Sequence, residues 1–351
     1  HHSGTIVLDS MIFWHPSSTN CKNLPGSLWW ISFEDKMEGE LDYSLIKQQF
    51  ERDGYVLLKG FASGERCKDL ISEAKRILNL QQNEIHSQTA SFRASSTANE
   101  NPIHNQSRDD YFLTSGYTMR PFFESAAMND DGITLKSELH GNIDAQFDHL
   151  NKIGHALHEL SPAFSDFVRD IKVQQLVKHL GYISPLLVQT MFLRKAAILG
   201  TAVPPHRDNT FLLSGTAVLG LWWALEEANT SNGCLWVLPG SHLRSEVEKR
   251  PRFVRTVDSQ SNINRTVMLG QTLDKDVNQL DAYVPLEAHV GDLVLIHGDL
   301  LHQSLPNVSE KSRCALSLHL VDSAAPNYEW SAENWLQRGE VDGGSPPFRS
   351  F

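Results

Sequence analysis

The sequence predicts an α+β fold, with helices first and then short strands that close into an antiparallel sandwich or small barrel. Three observations carry that prediction. Between residues 41 and 180, apolar residues recur mainly at helical spacing. After Gly181 the pattern changes to short runs rich in branched and aromatic residues, separated by Gly, Pro, Asn and Ser clusters. A composition of 40% hydrophobic and 21% charged residues suits a globular chain that can bury a sizeable core.

The elements follow in order. Leu41, Leu45, Ile46 and Phe50 share one helical face, ended near Gly54. Residues 55–58 read as a short strand. Ser63 is placed to cap a second helix, whose apolar positions Cys67, Leu70, Ile71, Ala74, Ile77 and Leu78 obey the i, i+3, i+4, i+7 rule. Residues 86–110 are polar and turn-rich and predict a long loop. Phe147, Leu150, Ile153, Leu157 and Leu160 fit a further helix, and residues 164–180 another, stopped by Gly181. Strands are expected over 186–193, 218–225, 235–238, 292–297 and 315–321. Residues 1–36 mix Trp14, Trp29 and Trp30 with Ser, Asn, Pro and Gly without a sustained period. They are expected to form an extension, with one domain over 37–351. No internal repeat is visible. Glu226-Glu227 and the Lys/Arg-rich stretch 244–255 read as solvated faces.

Charge and cysteine use narrow the function classes. A net charge of −11 disfavours nucleic acid and anionic membranes as partners. No run of about 18 apolar residues suggests a membrane span. The N-terminus lacks the pattern of a signal peptide, and the final residues are not a peroxisomal address. The four cysteines, Cys21, Cys67, Cys234 and Cys314, are scattered without a CxxC pair, which argues against a disulfide framework or zinc knuckle. Free thiols fit a reducing compartment, so a cytoplasmic location is expected.

The sharpest chemical feature is Pro204-Pro205-His206-Arg207-Asp208. Side chains two apart on an extended segment point to one face, so His206 and Asp208 can reach one ion. A third ligand from a distant strand would complete a 2-His-1-carboxylate triad with open coordination positions. Two residues compete for that place, His297 at the end of a predicted strand and His302 five residues on. HxD alone is weak, because a loop histidine beside a capping aspartate gives the same letters. Arg313 opens the last predicted strand and could pair with a dicarboxylic acid, although most arginines pair with a neighbouring Asp or Glu.

Seven stretches extend the pattern along the chain. They are Asp53-Gly54-Tyr55-Val56, Asp110-Tyr111-Phe112-Leu113, Asn151-Lys152-Ile153-Gly154-His155-Ala156-Leu157-His158, Asn232-Gly233-Cys234-Leu235-Trp236, Pro239-Gly240-Ser241-His242, Gly291-Asp292-Leu293-Val294-Leu295-Ile296-His297-Gly298 and Glu333-Asn334-Trp335-Leu336. With them the chain resembles the phytanoyl-CoA dioxygenase family of Fe(II)/2-oxoglutarate oxygenases over residues 41–338. The resemblance implies a double-stranded β-helix, or jelly-roll, core wrapped by N-terminal helices. It carries the iron ligands onto His206, Asp208 and His302, and the clamp on the 2-oxoglutarate carboxylate onto Arg313, with Ser304 beside it. It further implies cosubstrate contacts from Lys152, Met191 and Trp222. Read from the residues alone, Lys152 is a snorkelling lysine on a helix, and Met191 and Trp222 are core residues on strands.

The implied cofactors are Fe(II), 2-oxoglutarate and O₂, with ascorbate as a stimulant. The implied reaction is hydroxylation of a small-molecule substrate with release of succinate and CO₂. Tyr111, Phe112, Phe122 and Phe123 could shape the substrate pocket or simply pack a core. Cys234 and His242 are expected to be structural. The rival readings are a non-catalytic protein that binds metal and 2-oxoglutarate, a phytanoyl-CoA 2-hydroxylase, a cupin-like hydrolase or isomerase using Zn²⁺ or Mn²⁺, and a binding scaffold.

Overall fold

The computed structural model describes residues 30–31, 41–87, 90–91, 110–129, 134–244, 249–257, 264–270, 277–338 and 348–351. The expected extension over 1–36 lies outside them except for Trp30–Ile31, as does most of the loop expected over 86–110. Helix α1 (Tyr43–Asp53) is N-capped by Asp42, whose side chain accepts from the Leu45 amide. It ends at Gly54, whose φ of 81° needs a residue without a Cβ. Helix α2 (Gly64–Leu80) starts at the expected Ser63 cap and buries Cys67, Leu70, Ala74, Ile77 and Leu78, the face read from the sequence.

Sixteen strands are described: β1 (Trp30–Ile31), β2 (Tyr55–Leu58), β3 (Ala90–Ser91), β4 (Met119–Phe123), β5 (Leu150–His155), β6 (Pro185–Lys195), β7 (Val203–His206), β8 (Leu219–Ala224), β9 (Leu235–Val237), β10 (Arg252–Val257), β11 (Asn264–Leu269), β12 (Val284–Leu286), β13 (Leu293–His297), β14 (His302–Ser304), β15 (Arg313–Asp322) and β16 (Arg349–Ser350). The large sheet runs β1-β2-β13-β8-β15-β6-β5-β4-β3, with β16 on β6. A smaller sheet runs β12-β9-β14-β7, and β10 and β11 form a separate hairpin. Two facing, mainly antiparallel sheets with helices against the larger one give the α+β jelly roll expected from the sequence.

Strand periodicity divides the large sheet into two faces. Leu219, Leu221 and Trp223 of β8, Leu293 and Leu295 of β13, and Leu316, Leu318 and Leu320 of β15 join one core with α1, α2 and the helices of residues 143–180. The alternate positions Trp222, Ala224, Val294, Ile296 and Ala315 join a second core with Leu235, Val237 and Leu286 of the small sheet. A third cluster holds Phe112, Phe122, Val188, Val321 and Trp335. Phe122 and Phe123 are wholly buried, and Tyr111 and Phe112 nearly so, so their ordinary packing reading holds.

Two expectations need correction. The helix expected over 147–160 is instead strand β5, flanked by short helices Ile143–Asp148 and Leu157–Leu160. The apolar spacing mimics a helix, but pairing of β5 with β4 and β6 overrides it. Lys152 therefore sits on a strand, opposite Leu193, and is 5% exposed rather than snorkelling. The helix expected over 164–180 is two helices, Pro162–Val168 and Ile171–His179, because Asp170 accepts from the Lys172 amide and starts a new turn.

Candidate active site

Adjacent strands of the small sheet bring two distant histidines together. His206, the last residue of β7, is the register partner of His302, the first of β14, and their ring centroids stand 4.2 Å apart. Beyond His206 the strand gives way to a 3₁₀ turn, Asp208–Thr210, which swings the carboxylate back beside both rings. Asp208 Oδ1 lies 3.8 Å from His206 Nε2 and 3.7 Å from His302 Nε2. Among the described residues, His206, Asp208 and His302 form the group able to hold a metal ion, with one donor atom from each within 4.8 Å of the others.

The second partners of these side chains suit a metal. His206 Nδ1 faces Pro204 O at 2.9 Å, and His302 Nδ1 faces Leu300 O at 3.0 Å. A carbonyl can only accept, so each ring places its proton on Nδ1 and leaves the Nε2 lone pair toward the centre. Burial, reinforced by His302, holds His206 at about 4, so its imidazole is neutral near pH 7. Burial alone would raise the Asp208 carboxyl, but the surrounding histidines, His319 first, outweigh it and keep the group ionised. Two imidazoles with Nε2 turned inward and one carboxylate are the donor set of a facial triad.

His319 was not singled out from the sequence. Its Nε2 lies 3.4 Å from Asp208 Oδ2, the oxygen turned away from the two ligand-type histidines. The carboxylate thus has one oxygen for the centre and one held from behind. The available signal was parity: His319 lies six residues after Arg313 on one strand, hence on the same face. Two more residues brace the turn. Arg207 is buried and donates to Ser241 O at 3.0 Å and to Asp299 O. Asn209 Oδ1 accepts from the Val218 amide at 2.9 Å, and its own amide donates to Gly298 O at 2.9 Å. A Cβ at Gly298 would collide with that Asn209 oxygen, which accounts for the glycine after His297.

His297 lies apart from the triad. Its ring packs on His242 at 4.8 Å and Phe50 at 5.8 Å, and its Nδ1 accepts from the Asp299 amide. His242 in turn faces Glu51 O and serves the turn after Gly240, as expected. Cys234 is fully buried at the start of β9.

Arg313 lies at the other end of the site face of β15. Its Nη2 donates to Gly233 O at 2.7 Å and to Ser304 Oγ at 3.3 Å, and its guanidinium carbon stands 5.3 Å from the centre of a Trp222 ring. It is 3% exposed, yet Nε has no hydrogen-bond partner. Burial lowers it to about 10, so it keeps its charge at neutral pH. A buried cation with an open N–H and no carboxylate on it fits an anionic ligand. Met191 and Trp222 flank Ser317 of β15 from the two neighbouring strands. Lys152 shares their face, with Nζ 5.0 Å from the Phe122 ring centre, and burial lowers it to about 7. A separate cavity of about 540 Å³, lined by His158, Glu159, Ser165, Arg169, Phe348, Arg349 and Ser350, shares no residue with this site.

A family model described as phytanoyl-CoA dioxygenase (PhyH) matches residues 50–315. Phytanoyl-CoA dioxygenase domain-containing protein 1 of Bos taurus is 38% identical over 292 residues, which is 83% of this chain and 93% of the relative. Phytanoyl-CoA dioxygenase 1 of Oryza sativa subsp. japonica is 37% identical over 290 residues, 82% and 92% of the two chains. Two solved structures share the jelly-roll fold. The epimerase SnoN in complex with Fe3+, alpha ketoglutarate and nogalamycin RO superposes with a TM-score of 0.53 at 17% identity, over 88% of this chain and 93% of that one. EctD from S. alaskensis with bound Fe gives 0.51 at 18% identity, over 86% and 84%.

Proposed function

The chain belongs to the phytanoyl-CoA dioxygenase family, and from that premise we propose that it is an Fe(II)- and 2-oxoglutarate-dependent dioxygenase that hydroxylates a small-molecule substrate. The observation that carries the reading is the triad with its two histidine tautomers fixed toward one centre. When bound, Fe(II), 2-oxoglutarate and O₂ supply the oxidation of a substrate C–H bond, with succinate and CO₂ released.

The chain's own residues bind and orient. His206 and His302 offer Nε2 and Asp208 offers Oδ1, while His319 holds Asp208 Oδ2. Arg313 and Ser304 receive the distal carboxylate of 2-oxoglutarate as a charge-assisted pair. Trp222 covers that guanidinium, and Met191 faces the same side of the sheet beside Ser317. Lys152, deprotonated in part near neutral pH, adds a donor on the same face without a full buried charge.

Phytanoyl-CoA is a poor candidate substrate. Coenzyme A phosphates need several free cations, and two arginines of the basic stretch 244–255 already face carboxylates. Arg250 lies 3.4 Å from Asp299, and Arg252 lies 3.2 Å from Glu333.

The test is succinate formation from 2-oxoglutarate by purified protein with Fe(II) and ascorbate, first alone and then across a metabolite panel. The reading expects succinate that Asp208→Ala abolishes and that one compound class stimulates. Succinate no higher than in Asp208→Ala across the panel contradicts it. Incubation with phytanoyl-CoA should yield no product heavier by one oxygen.

A further inference from the structure

The cavity of about 540 Å³ lies apart from the triad, on the helix side of the large sheet. Its wall residue His158 meets Thr190 Oγ1 of β6 at 2.6 Å, and Thr190 stands in register with Leu318, which faces the helices. The helix Pro162–Val168 supplies Ser165 and is followed by Arg169. Strand β16, antiparallel to β6, supplies Arg349 and Ser350. Small-molecule sites commonly enclose about 300–1,000 Å³, so the volume suits a ligand.

The charges around this cavity do not cancel. Glu159 is the one carboxylate among its lining residues, and its side chain is 1% exposed. Arg338 donates to Glu159 Oε1 at 2.5 Å, and Arg349 Nε stands 3.5 Å from Oε2. Oε2 is buried and accepts no hydrogen bond. Among the described residues Arg169 forms no ion pair: Nη1 donates to His158 O at 2.7 Å and Ser165 Oγ at 2.9 Å, and Nη2 reaches Ser350 O at 3.4 Å. Burial lowers Arg169 from the ordinary arginine value; Glu159 raises it, and the like charge of Arg349 lowers it again. Three guanidiniums thus gather around one carboxylate, a local positive surplus in a chain whose net charge is −11.

An arginine can only donate and an ionised carboxylate can only accept, so the demands on a ligand do not turn on the position of a proton. Arg338 balances the Glu159 charge, which leaves Arg169 and Arg349 to set the sign of the site. Guanidinium forks of this kind suit an oxyanion. The open Glu159 Oε2 asks instead for an O–H. We propose that this cavity is a second binding site, separate from the reaction centre, for a small organic anion that presents a carboxylate or phosphate to Arg169 and Arg349 and a hydroxyl to Glu159. Nothing in it depends on iron or 2-oxoglutarate, so it stands independently of the dioxygenase reading.

The test uses four probes. Gluconate and glucose 6-phosphate carry both an oxyanion and hydroxyls, glucose lacks the anion, and hexanoate lacks the hydroxyls. Binding to the purified full chain is measured by calorimetry. At least one of the two hydroxylated anions should bind at least about tenfold more tightly than glucose and hexanoate. Which of the two binds tells a carboxylate ligand from a phosphate one. Arg349→Gln alters a side chain that is 65% exposed, so the fold should tolerate it. It should weaken that binding about tenfold, as should Arg169→Gln. Arg313→Ala, on the opposite face of the sheet, should leave the affinity of the hydroxylated anion unchanged. Equal binding of glucose or hexanoate, no binding of either hydroxylated anion, unchanged affinity in Arg349→Gln, or loss of binding in Arg313→Ala overturns the proposal.

Discussion

The two faces of β15 differ in kind although they alternate residue by residue. Leu316, Leu318 and Leu320 face the helices and are wholly buried among apolar side chains. Arg313, Ser317 and His319 face the small sheet and meet Ser304, the Met191–Trp222 row and Asp208 in turn. The helix side sets where the strand lies. The site side uses that fixed position to hold groups that water would otherwise satisfy. Polar residues on a loop could not be kept this dry at this spacing, and this is why the chemistry sits on strands packed from behind. The comparison implies that changes on one face should register chiefly as ligand affinity, and changes on the other as stability.

The largest separation is expected for Arg313→Ala. Removing one partner of a buried charge-assisted pair costs about 2–5 kcal/mol. The dissociation constant for 2-oxoglutarate should rise at least about thirtyfold, by calorimetry on Mn(II)-loaded protein, while Mn(II) still binds. An unchanged constant would remove Arg313 from the site. On the opposite face, Leu318→Ala empties a position with no exposed surface. It should lower unfolding free energy by about 2–5 kcal/mol in a denaturant titration. The variant that remains folded should keep the parent affinity for 2-oxoglutarate. A loss of that affinity with little loss of stability would break the division of labour between the faces.

Smaller effects distinguish the two sides by pH. Glu159, behind the sheet, would be raised by burial, but His158 and Arg338 outweigh this and hold it at about 2. Its folded value is below the unfolded one, so its contribution is present above pH of about 4.3 and is lost as pH falls toward about 2. The stability gap between the protein and Glu159→Gln should narrow over that window. Lys152, on the site side, is lowered by burial to about 7. Here the unfolded chain binds the extra proton between about 7 and 10.4, so stability should rise with pH across that range. Lys152→Met should flatten part of the rise. Lys195, also held at about 7 by burial, should add in the same direction, while the thiols of Cys67 and Cys234, raised by burial to about 11 and about 12, should oppose it above about pH 8.5. A slope unaltered in Lys152→Met would show that the amine is solvated.

How much of this was legible depends on how far apart the cooperating residues lie. His206 and Asp208 are two residues apart, so a single segment displays them. Arg313 and His302 stand near predicted strand boundaries, where hydrophobic runs end. Residues alone left His302 and His297 tied, because choosing between them needs the pairing of β14 with β7. Strand β5 was misread because Leu150, Ile153 and Leu157 satisfy a helical period, and only the hydrogen bonds to β4 and β6 decide against it. Arg169 and Ser350 are 181 residues apart and meet because β16 pairs with β6, which no local pattern records. Arg207 sat in plain view within the motif, but its partners, Ser241 O and Asp299 O, are backbone atoms of two distant turns.

The central claim is that the metal lies between His206, Asp208 and His302 and not at the second histidine cluster formed by His297 and His242. Titration of metal-free protein with Mn(II), followed by calorimetry in the parent, His302→Ala and His297→Ala, tests it directly. The account predicts one Mn(II) per chain in the parent and in His297→Ala, with binding lost or greatly weakened in His302→Ala. Intact binding in His302→Ala together with its loss in His297→Ala would contradict the account.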